Sequence, residues 1–562
     1  MEIAVDNFRS FSEQTDFLCS SDLNVFIGKN SSGKSSLLRI FPLLKQTFSN
    51  DTSVPFLWYS PDYVDFGDYE NVLGIKKDGP VYFYFTFDLD PYFFYSSNKM
   101  YNLMLTYGSL DLTPNNYFDI SSTMPIYKVE LRIDVREDYI SSIVMYIGDV
   151  RIDIDFNKHS LTSFLINNFN SASENIRIFD YSTDKDRNVR IVPHKRNLLT
   201  LIRASFRRHY RGFPNDINND INIESNNSIP KGEFSDIYIG PKIVDLWNEM
   251  FLSEDDFEFI NSYLIDDFLN LDVKYLRKKI LSLLVERDFL YEGTFNDFYS
   301  KDIEKLIQLY IAYYSNDFLI AIDKYLEEYF SRVKYIAPLR APVQRYYRLQ
   351  GISLSEVDPS GLNIPMIIAN MNDREFRKFK YWTEENFGFY ITREMTPGHV
   401  SILIGVGKEE PRNIIDLGFG YSQILPIIVE LWHSTNRSNN YIGNGLNKTF
   451  VPYTIVIEQP ELHLHPAMQA DFIDACIKII DNNGDKSVKF IIETHSETIV
   501  NRISESIKKE RLKHDSVTIN IVNRNNFNQS TVKAVGFDED GDLLEWPIGF
   551  FTAEPIDYDY KY

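Results

Sequence analysis

The chain has 562 residues, of which 44% are hydrophobic and 15% aromatic, enough for a sizeable core and about three or four domains. Its formal net charge of −22 excludes a surface that binds nucleic acid everywhere, but it leaves room for a local basic track. No run of about 20 apolar residues and no secretory signal occur, and the two cysteines, Cys19 and Cys476, lie far apart, so we expect a cytoplasmic protein without a membrane span or disulfide framework.

The clearest motif is G-K-N-S-S-G-K-S at residues 28–35, which matches the phosphate-binding P-loop pattern in full. It lies between an apolar segment, residues 23–27, that predicts a buried strand and a segment from Ser36 that predicts a helix, which Pro42 should bend or shorten. In such a loop, backbone N–H groups close around phosphate oxygens, the lysine reaches the β- and γ-phosphates, and the serine hydroxyl ligates Mg²⁺. The motif therefore predicts a site for ATP and Mg²⁺.

An arginine on a predicted N-terminal hairpin, N-F-R-S-F at residues 7–11, is expected near the same phosphates. The candidate nucleotide-binding residues in this part of the chain are Arg9, Gly28, Asn30, Ser31, Ser32, Gly33, Lys34, Ser35 and Ser36, and Ser35 is also a candidate metal ligand.

The pattern of apolar residues divides the chain into three predicted parts. Residues 1–160 form an N-terminal lobe in which alternating segments at 81–87, 129–135, 143–147 and 151–156 predict an antiparallel meander. Residues 161–334 have mostly helical spacing and are predicted to be a mainly helical insertion. Residues 335–562 return to an α/β pattern and end in a small β region.

A basic segment interrupts the insertion of this acidic chain. It has no acidic residue and carries Arg187, Arg190, Lys195, Arg196, Arg203, Arg207, Arg208 and Arg211. Two interpretations stay open: a solvated helix face that pairs with carboxylates elsewhere, or a binding site for an anionic ligand such as nucleic acid.

In the C-terminal part, two near-continuous apolar segments, residues 454–457 and 488–492, predict parallel strands buried on both faces. An amphipathic helix over residues 467–480 should connect them in a βαβ unit. The first strand ends in Glu458, a Walker B position that can hold Mg²⁺, and Gln459 follows where the residue that polarises the attacking water usually stands. The second strand leads to His495, which suits a switch histidine that hydrogen-bonds the γ-phosphate.

A glycine-rich segment, residues 416–423, precedes a predicted apolar helix from Ile424. Such a loop presents N–H groups and a hydroxyl to phosphate, so it is a candidate signature loop that closes over a partner's nucleotide. Its candidate working residues are Gly418, Gly420, Ser422 and Gln423.

These motifs resemble the RecF and overcoming-lysogenisation-defect (OLD) group of ABC/SMC-type P-loop ATPases. The resemblance rests on N-F-R-S-F, on Y-I-A-P-L-R at residues 335–340, on P-E-L-H-L-H-P at 460–466 and on E-T-H-S-E at 493–497, so it covers the two ends and not the insertion. It implies an α/β fold, an ABC-type ATPase head with an antiparallel β subdomain and a mainly helical insertion. It also implies a homodimer, or a higher even oligomer, that holds two ATP molecules between one protomer's P-loop and the other's signature loop.

Two positions depart from the pattern of that group. Gln459 replaces the expected catalytic glutamate, and an amide cannot accept a proton at neutral pH. Hydrolysis is then slow, or Glu461 or His495 supplies the missing function; a one-residue misalignment of the motif is the remaining alternative. The signature loop is not L-S-G-G-Q, which leaves the role of each of its residues open. His463 and His465 beside Glu461 invite a zinc site, but no further ligands stand nearby at suitable spacing.

The end of the chain bears on function in two ways. Members of the OLD group carry a Toprim nuclease domain after the ATPase, and the residues after His495 are too few for one, so we do not expect a nuclease. E-W-P-I-G-F-F at residues 545–551 resembles the ending of bacterial ATPases found in anti-phage defence systems such as Septu.

The leading hypothesis is an ATPase that dimerises on ATP and senses a trigger or gates a separate effector, a nuclease or other toxin, in anti-phage defence. The alternatives are a RecF-like clamp in DNA repair, which would use the basic segment, and a scaffold that binds ATP without turnover.

Overall fold

The computed structural model describes residues 1–50, 54–74, 79–90, 92–93, 126–148, 150–158, 160–168, 300–350, 356–436, 441–442, 449–483 and 488–545, and the backbone assignment at 176–180, 204–205, 231–232 and 278. Most of the basic segment and the ending from residue 546 onward lie outside the described residues.

In these parts of the chain, the strands in chain order are β1 (Glu2–Asp6), β2 (Leu23–Ile27), β3 (Val81–Leu89), β4 (Tyr127–Val135), β5 (Ile140–Ile147), β6 (Val150–Asn157), β7 (Ser160–Asn168), β8 (Ile176–Asp180), β9 (Ala204–Ser205), β10 (Lys231–Gly232), β11 (Val333–Ile336), β12 (Tyr347–Arg348), β13 (Tyr390–Thr396), β14 (His399–Gly405), β15 (Arg412–Asn413), β16 (Tyr441–Ile442), β17 (Thr449–Phe450), β18 (Tyr453–Glu458), β19 (Val488–Glu493), β20 (Val517–Arg524) and β21 (Ser530–Val535).

The α-helices in the same parts are α1 (Lys34–Leu38), α2 (Ile40–Ser49), α3 (Tyr69–Val72), α4 (Ser300–Ser331), α5 (Ile364–Asn370), α6 (Asp373–Phe387), α7 (Phe419–Asn436), α8 (Pro466–Asn483) and α9 (Glu497–Lys508). Two 3₁₀ turns lie at Ile414–Leu417 and His514–Ser516. No helix in the described parts of the chain is both long and apolar enough to cross a bilayer.

A six-stranded sheet organises the molecule, with the strand order β11-β18-β19-β2-β20-β21. All neighbouring pairs are parallel except β20 with β21. The predicted βαβ unit is confirmed as β18-α8-β19. Because β19 lies directly beside β2 and β18 lies beside β19, all three in parallel, their carboxyl ends meet at one edge of the sheet, next to the loop that follows β2.

Both faces of this sheet are covered, as the near-continuous apolar strands predict. In β2, Phe26 faces a core that it shares with α1, α2 and α4, whereas Leu23, Val25 and Ile27 face a second core with α5 to α9. The same alternation holds in β18 and β19, so the sheet lies between two hydrophobic cores.

A second, antiparallel sheet has the order β1-β3-β4-β5-β6-β7-β8. It contains the predicted meander, and β7 and β8 extend it past residue 160. Phe48 of α2 and Phe330 of α4 stack with their ring centroids 5.4 Å apart. Phe85 of β3 contacts the same Phe330 ring. The antiparallel sheet therefore shares one aromatic core with α2 and α4.

The fold class predicted from the sequence, α/β with an antiparallel β subdomain, is confirmed. The three-part division at residues 160 and 334 stays a prediction, because most of residues 161–299 are outside the described parts. Pro42 has the predicted effect: α1 ends at Leu38 and α2 begins at Ile40, which fits the lack of a proline N–H to bond the Leu38 carbonyl. The helix predicted from Ile424 begins earlier, at Phe419, directly after Gly418 with φ +85°.

Candidate nucleotide-binding site

The P-loop connects β2 to α1 and curls back on itself through three residues with positive φ. These are Gly28 at +153°, Ser31 at +61° and Gly33 at +106°. A Cβ atom at Gly28 would collide with the Val522 carbonyl oxygen of β20, so glycine is required there by space as well as by conformation.

The P-loop lysine is buried and points into the loop. The Lys34 ammonium donates to the carbonyl oxygens of Gly28 and Lys29, each at 2.9 Å, and burial lowers its pKa while Glu493 and Glu461 oppose that effect. The Ser32 hydroxyl is buried with no hydrogen-bond partner among the described residues. The loop therefore holds a cation and an unsatisfied hydroxyl where phosphate oxygens bind in loops of this type.

A cleft of about 720 Å³ opens in front of this loop. Of the residues predicted from the sequence, the cleft is lined by Arg9, Asn30, Ser31, Gly33, Lys34, Ser35, Ser36, Gln459 and His495. The structure thus brings together residues from both ends of the chain, as the motifs predict. The lining residues that sequence reasoning missed are Ser10, Asn71, Leu73, Glu493, Arg524 and Asn528.

Arg9 reaches the cleft from a tight N-terminal turn. Phe8 and Phe11 exchange two backbone hydrogen bonds, which close the turn, and Arg9 has φ +53° and donates its N–H to the Val72 carbonyl at 2.7 Å. Its guanidinium lies 5.3 Å from the centroid of the Phe66 ring. Burial and the nearby Arg39 lower the pKa of Arg9, because both disfavour its positive charge. An anion that binds beside Arg9 would stabilise that charge, so this position favours an anion.

The hairpin of β20 and β21 contributes Arg524 and Asn528 to the lining of the cleft. Arg524 donates to the Ser31 carbonyl at 2.9 Å, and the Ser530 N–H donates to the Ser10 carbonyl at 2.7 Å. These bonds connect the hairpin to the P-loop and to the N-terminal turn. Because β20 is the parallel neighbour of β2, its last residue lies beside the P-loop; that pairing was not predicted, so neither was the role of Arg524.

Glu458, the predicted metal ligand, is not among the residues that line the cleft. Both of its carboxylate oxygens accept hydrogen bonds from the Arg39 guanidinium at 2.8 Å, and the Tyr335 hydroxyl donates to it at 2.8 Å. The side chain of Glu458 is 2% exposed. A carboxylate held in this way is already paired with a half-buried arginine, and three donors occupy its oxygens.

Glu493, on the next strand, lines the cleft and contacts the P-loop serine. The Ser35 hydroxyl donates to Glu493 Oε1 at 3.0 Å, while Oε2 is buried without a hydrogen-bond partner among the described residues. Burial, and then the nearby Glu458, raise the pKa of Glu493 to about 7, against the opposing effects of Ser35, Lys34 and Arg39. The cleft therefore contains a carboxyl group with one unsatisfied oxygen.

Gln459 lines the cleft with an unusual backbone, φ +46°, and its N–H donates to the Glu493 carbonyl at 2.9 Å. Residues held in this region of φ/ψ space often lie at functional sites. Glu461 has a different role, because its carboxylate accepts from the Thr494 hydroxyl at 2.9 Å and from the His495 N–H at 2.7 Å. Glu461 thus fixes the loop that carries His495 and is not part of the lining.

The imidazole of His495 lies at the cleft next to a cation. Burial and Lys34 lower the pKa of His495, which favours a neutral ring that can donate one hydrogen bond and accept another. His495 therefore lies at the cleft as a ring that can donate a hydrogen bond into it.

The candidate signature loop is separate from this cleft, and none of its four predicted residues lines it. The Ser422 hydroxyl donates to the Phe419 carbonyl at 2.6 Å, and the residues Ser422 and Gln423 are buried, so the hydroxyl is not presented as the sequence suggested. What α7 exposes at its first turn is the Phe419 ring, which is 72% exposed and lies 6.0 Å from the His463 ring.

A magnesium nucleotide fits the residues around the cleft. Glu493, with its unsatisfied buried oxygen, and three cations, Arg9, Lys34 and Arg524, line one space, and the unsatisfied Ser32 hydroxyl belongs to the P-loop beside it. Within the described residues, no cluster of three His, Cys, Asp or Glu side chains could bind a metal ion by itself. An ion at Ser35 would therefore depend on phosphate oxygens for most of its ligands, as Mg²⁺ commonly does.

Comparisons with known proteins agree with this chemistry. The family model described as AAA ATPase domain matches residues 1–500 of the chain. No curated protein matches it.

Among solved structures, the chain is similar to the SMC head domain from Thermotoga maritima, with 10% identity, a TM-score of 0.32, and 95% of this chain and 97% of that chain covered. It is also similar to the Smc head domain with an extended coiled coil, bound to the C-terminal domain of ScpA, derived from Pyrococcus furiosus. That match has 12% identity and a TM-score of 0.30, with 95% and 96% covered. Because these TM-scores are low, we base no argument on the structural similarities.

Proposed function

This chain belongs to the AAA ATPase domain family, a class of ATP-binding ATPases, and on that premise we propose that it acts as a slow ATP-driven switch. In this proposal, ATP and Mg²⁺ bind in the cleft between the P-loop, the N-terminal turn and the β20-β21 hairpin. The bound state joins two copies of the chain and gates a separate effector. The observation that carries the proposal is the convergence of Arg9, Lys34 and His495 on one cleft from distant parts of the sequence.

Each side chain in the cleft has a task that its chemistry allows. The P-loop N–H groups and Lys34 hold the phosphates, with Lys34 exchanging its two carbonyl partners for phosphate oxygens. Arg9 and Arg524 add positive charge to the lining of the cleft, and His495 hydrogen-bonds the terminal phosphate. Mg²⁺, when bound, neutralises charge on the β- and γ-phosphates.

Gln459 sets the rate in this proposal. Its amide can hold a water molecule by hydrogen bonds but cannot remove a proton from it. Glu461 does not replace it, since its carboxylate is engaged with Thr494 and His495. Turnover is therefore slow and the ATP-bound state is long-lived, which suits a switch better than a motor.

The proposed dimer and the proposed effector are supported by sequence motifs, and the dimer is also supported by the surface of α7. The resemblance to the RecF and OLD group points to a second copy that places its signature loop over the nucleotide, and the exposed Phe419 ring beside Gly418 is an apolar group free to contact such a copy. The resemblance of the ending to anti-phage ATPases points to a bacterial defence role with a nuclease or other toxin as effector.

Steady-state release of phosphate from ATP tests the proposal. The wild type should show turnover that is slow but above background, Lys34→Ala should show none, and Gln459→Glu should raise the rate about 10-fold or more, because a carboxylate can act as the base. If Lys34→Ala hydrolyses ATP as fast as the wild type, the cleft is not the site of the activity. If Gln459→Glu leaves the rate unchanged, Gln459 does not limit turnover.

A further inference from the structure

We infer that Glu493, and not Glu458, is the acidic residue that holds the magnesium ion beside Ser35. This inference rests on the proposed function, since it assigns a residue to the metal of that nucleotide site. It depends on three observations: the contact of Glu493 with Ser35, the unsatisfied second oxygen of Glu493, and the engagement of Glu458 elsewhere.

The carboxylates of Glu458 and Glu493 are neighbours in the sheet, so either could in principle hold the magnesium ion. Glu458 ends β18, Glu493 ends β19, and the two residues are direct partners in the parallel register. However, β19 and not β18 is the strand next to β2. The last residue of β19 is therefore one strand closer to the P-loop serine than Glu458 is.

The hydrogen bonds of the two side chains separate their roles. Glu458 accepts two hydrogen bonds from Arg39 and one from Tyr335, so this buried carboxylate is already the partner of a half-buried cation. Its release for a metal ion would break all three hydrogen bonds of a buried carboxylate and leave the half-buried Arg39 guanidinium without its partner. Glu493 accepts one hydrogen bond, from the hydroxyl of the serine that ligates Mg²⁺ in P-loops.

The unsatisfied oxygen indicates that a ligand belongs at Glu493. Residue Glu493 is 2% exposed, and its Oε2 has no hydrogen-bond partner among the described residues. A buried acceptor without a partner is destabilising, and it persists in native proteins mainly where function requires it. Mg²⁺ is typically held by one or two carboxylates together with phosphate oxygens and water, directly or through a water ligand. The Glu493 carboxylate, with Oε1 bonded to Ser35 and Oε2 without a partner among the described residues, supplies such a group.

Magnesium-dependent nucleotide binding tests this assignment without relying on turnover. ATP binding is measured by calorimetry in EDTA and in Mg²⁺, and Mn²⁺ binding to the protein–ATP complex is followed from the loss of the free-ion signal in electron paramagnetic resonance. The variant is Glu493→Gln, which keeps the shape and an acceptor for Ser35 but loses the charge. The matched variant is Glu458→Gln on the neighbouring strand.

For Glu493→Gln we expect ATP binding in EDTA close to that of the wild type, but a loss of about 10-fold or more in the tightening caused by Mg²⁺ and in Mn²⁺ affinity. Glu458→Gln should retain both the tightening of ATP binding by Mg²⁺ and the Mn²⁺ affinity. Because Glu458→Gln also disturbs Arg39 and could unfold the chain, Tyr335→Phe serves as a milder second control that removes one hydrogen bond from Glu458.

Two results would overturn the assignment. One is a Glu458→Gln or Tyr335→Phe protein that loses the Mg²⁺ effect while Glu493→Gln retains it. The other is a Glu493→Gln protein that binds Mg²⁺ and ATP like the wild type but no longer hydrolyses ATP, which would make Glu493 a base. A wild type that binds no ATP even with Mg²⁺ would instead remove the proposed function itself, so the two failures are distinguishable.

Discussion

At the level of single residues, burial controls the charge of the carboxyl group beside Ser35. The pKa of Glu493 is raised from 4.5 to about 7, first by burial and then by the neighbouring Glu458. An acid whose pKa is higher in the folded state binds its proton more tightly there. Its ionisation therefore opposes folding increasingly as the pH rises from about 4.5 to about 7, and fully above that.

This gives a prediction for the nucleotide-free protein in EDTA. Glu493→Gln should raise the midpoint of thermal unfolding at pH 8, where the wild-type carboxylate is charged in both states, and raise it less at pH 5. Differential scanning calorimetry at the two pH values measures the effect. An equal shift at both pH values, or a larger shift at pH 5, would contradict the burial of an ionised Glu493. Such a variant would be more stable but less able to use Mg²⁺, a common relation at functional sites.

The site residues that could be predicted from the sequence are those whose chemistry lies in a contiguous motif. Lys34 and Ser35 are fixed by the P-loop pattern, and His495 by its position after an apolar strand. Arg524 and Glu493 could not be predicted in the same way, because their positions depend on which strands lie beside β2. Glu458 could be found from its motif, but its pairing with Arg39 could not, because Arg39 is distant in sequence.

At the level of elements, the ion pair of Arg39 with Glu458 connects the junction of α1 and α2 to the end of β18. Tyr335 of β11 adds a hydrogen bond to the same carboxylate. The break caused by Pro42 therefore does more than shorten a helix, since Arg39 lies at the junction between α1 and α2. The P-loop helix is thereby attached to two strands of the central sheet.

We predict that Arg39→Met destabilises the protein by about 2 kcal/mol, because it leaves Glu458 buried without its cation; the loss is smaller than for a fully buried pair because the Arg39 side chain is 35% exposed. The double variant Arg39→Met/Glu458→Gln should recover much of that loss, because the buried charge is then removed. Chemical denaturation of the two single variants and the double variant measures the coupling between the residues. If the changes in unfolding free energy of the two single variants simply sum to the change in the double variant, the ion pair contributes nothing.

Element type was easier to predict than element pairing. The strands β2, β18 and β19 follow from near-continuous apolar residues, and the meander follows from alternation. The sequence predicts the start of α7 too late, because Gly418 and Gly420 are typical of a loop, whereas a helix can begin directly after a glycine with positive φ. The strand order is a tertiary property to which no local pattern points.

At the level of the whole molecule, the central sheet lies between two cores, and its carboxyl edge carries the cleft. The signature loop at the start of α7 does not line this cleft. In the proposed dimer, each copy therefore supplies the P-loop of one site and the first turn of α7 to the other. ATP then controls association, since it lies between the two copies.

Sedimentation velocity with ATP and Mg²⁺ tests this association. The wild type should shift from monomer to dimer, and Phe419→Asp should stay monomeric because it places a charge on the exposed first turn of α7. Tyr381→Asp, at an aromatic residue of α6 that is 68% exposed, is the matched control and should still dimerise. A Phe419→Asp protein that dimerises like the wild type would exclude this face as the interface.

The measurement that tests the central claim most directly is calorimetric titration of the full chain with ATP in the presence of Mg²⁺. We predict one ATP bound per chain and loss of the binding heat in Lys34→Ala, because the buried ammonium at the P-loop is then missing. A folded wild type that gives no binding heat at any concentration tested, or a Lys34→Ala protein that binds ATP as tightly as the wild type, would contradict the assignment of the cleft.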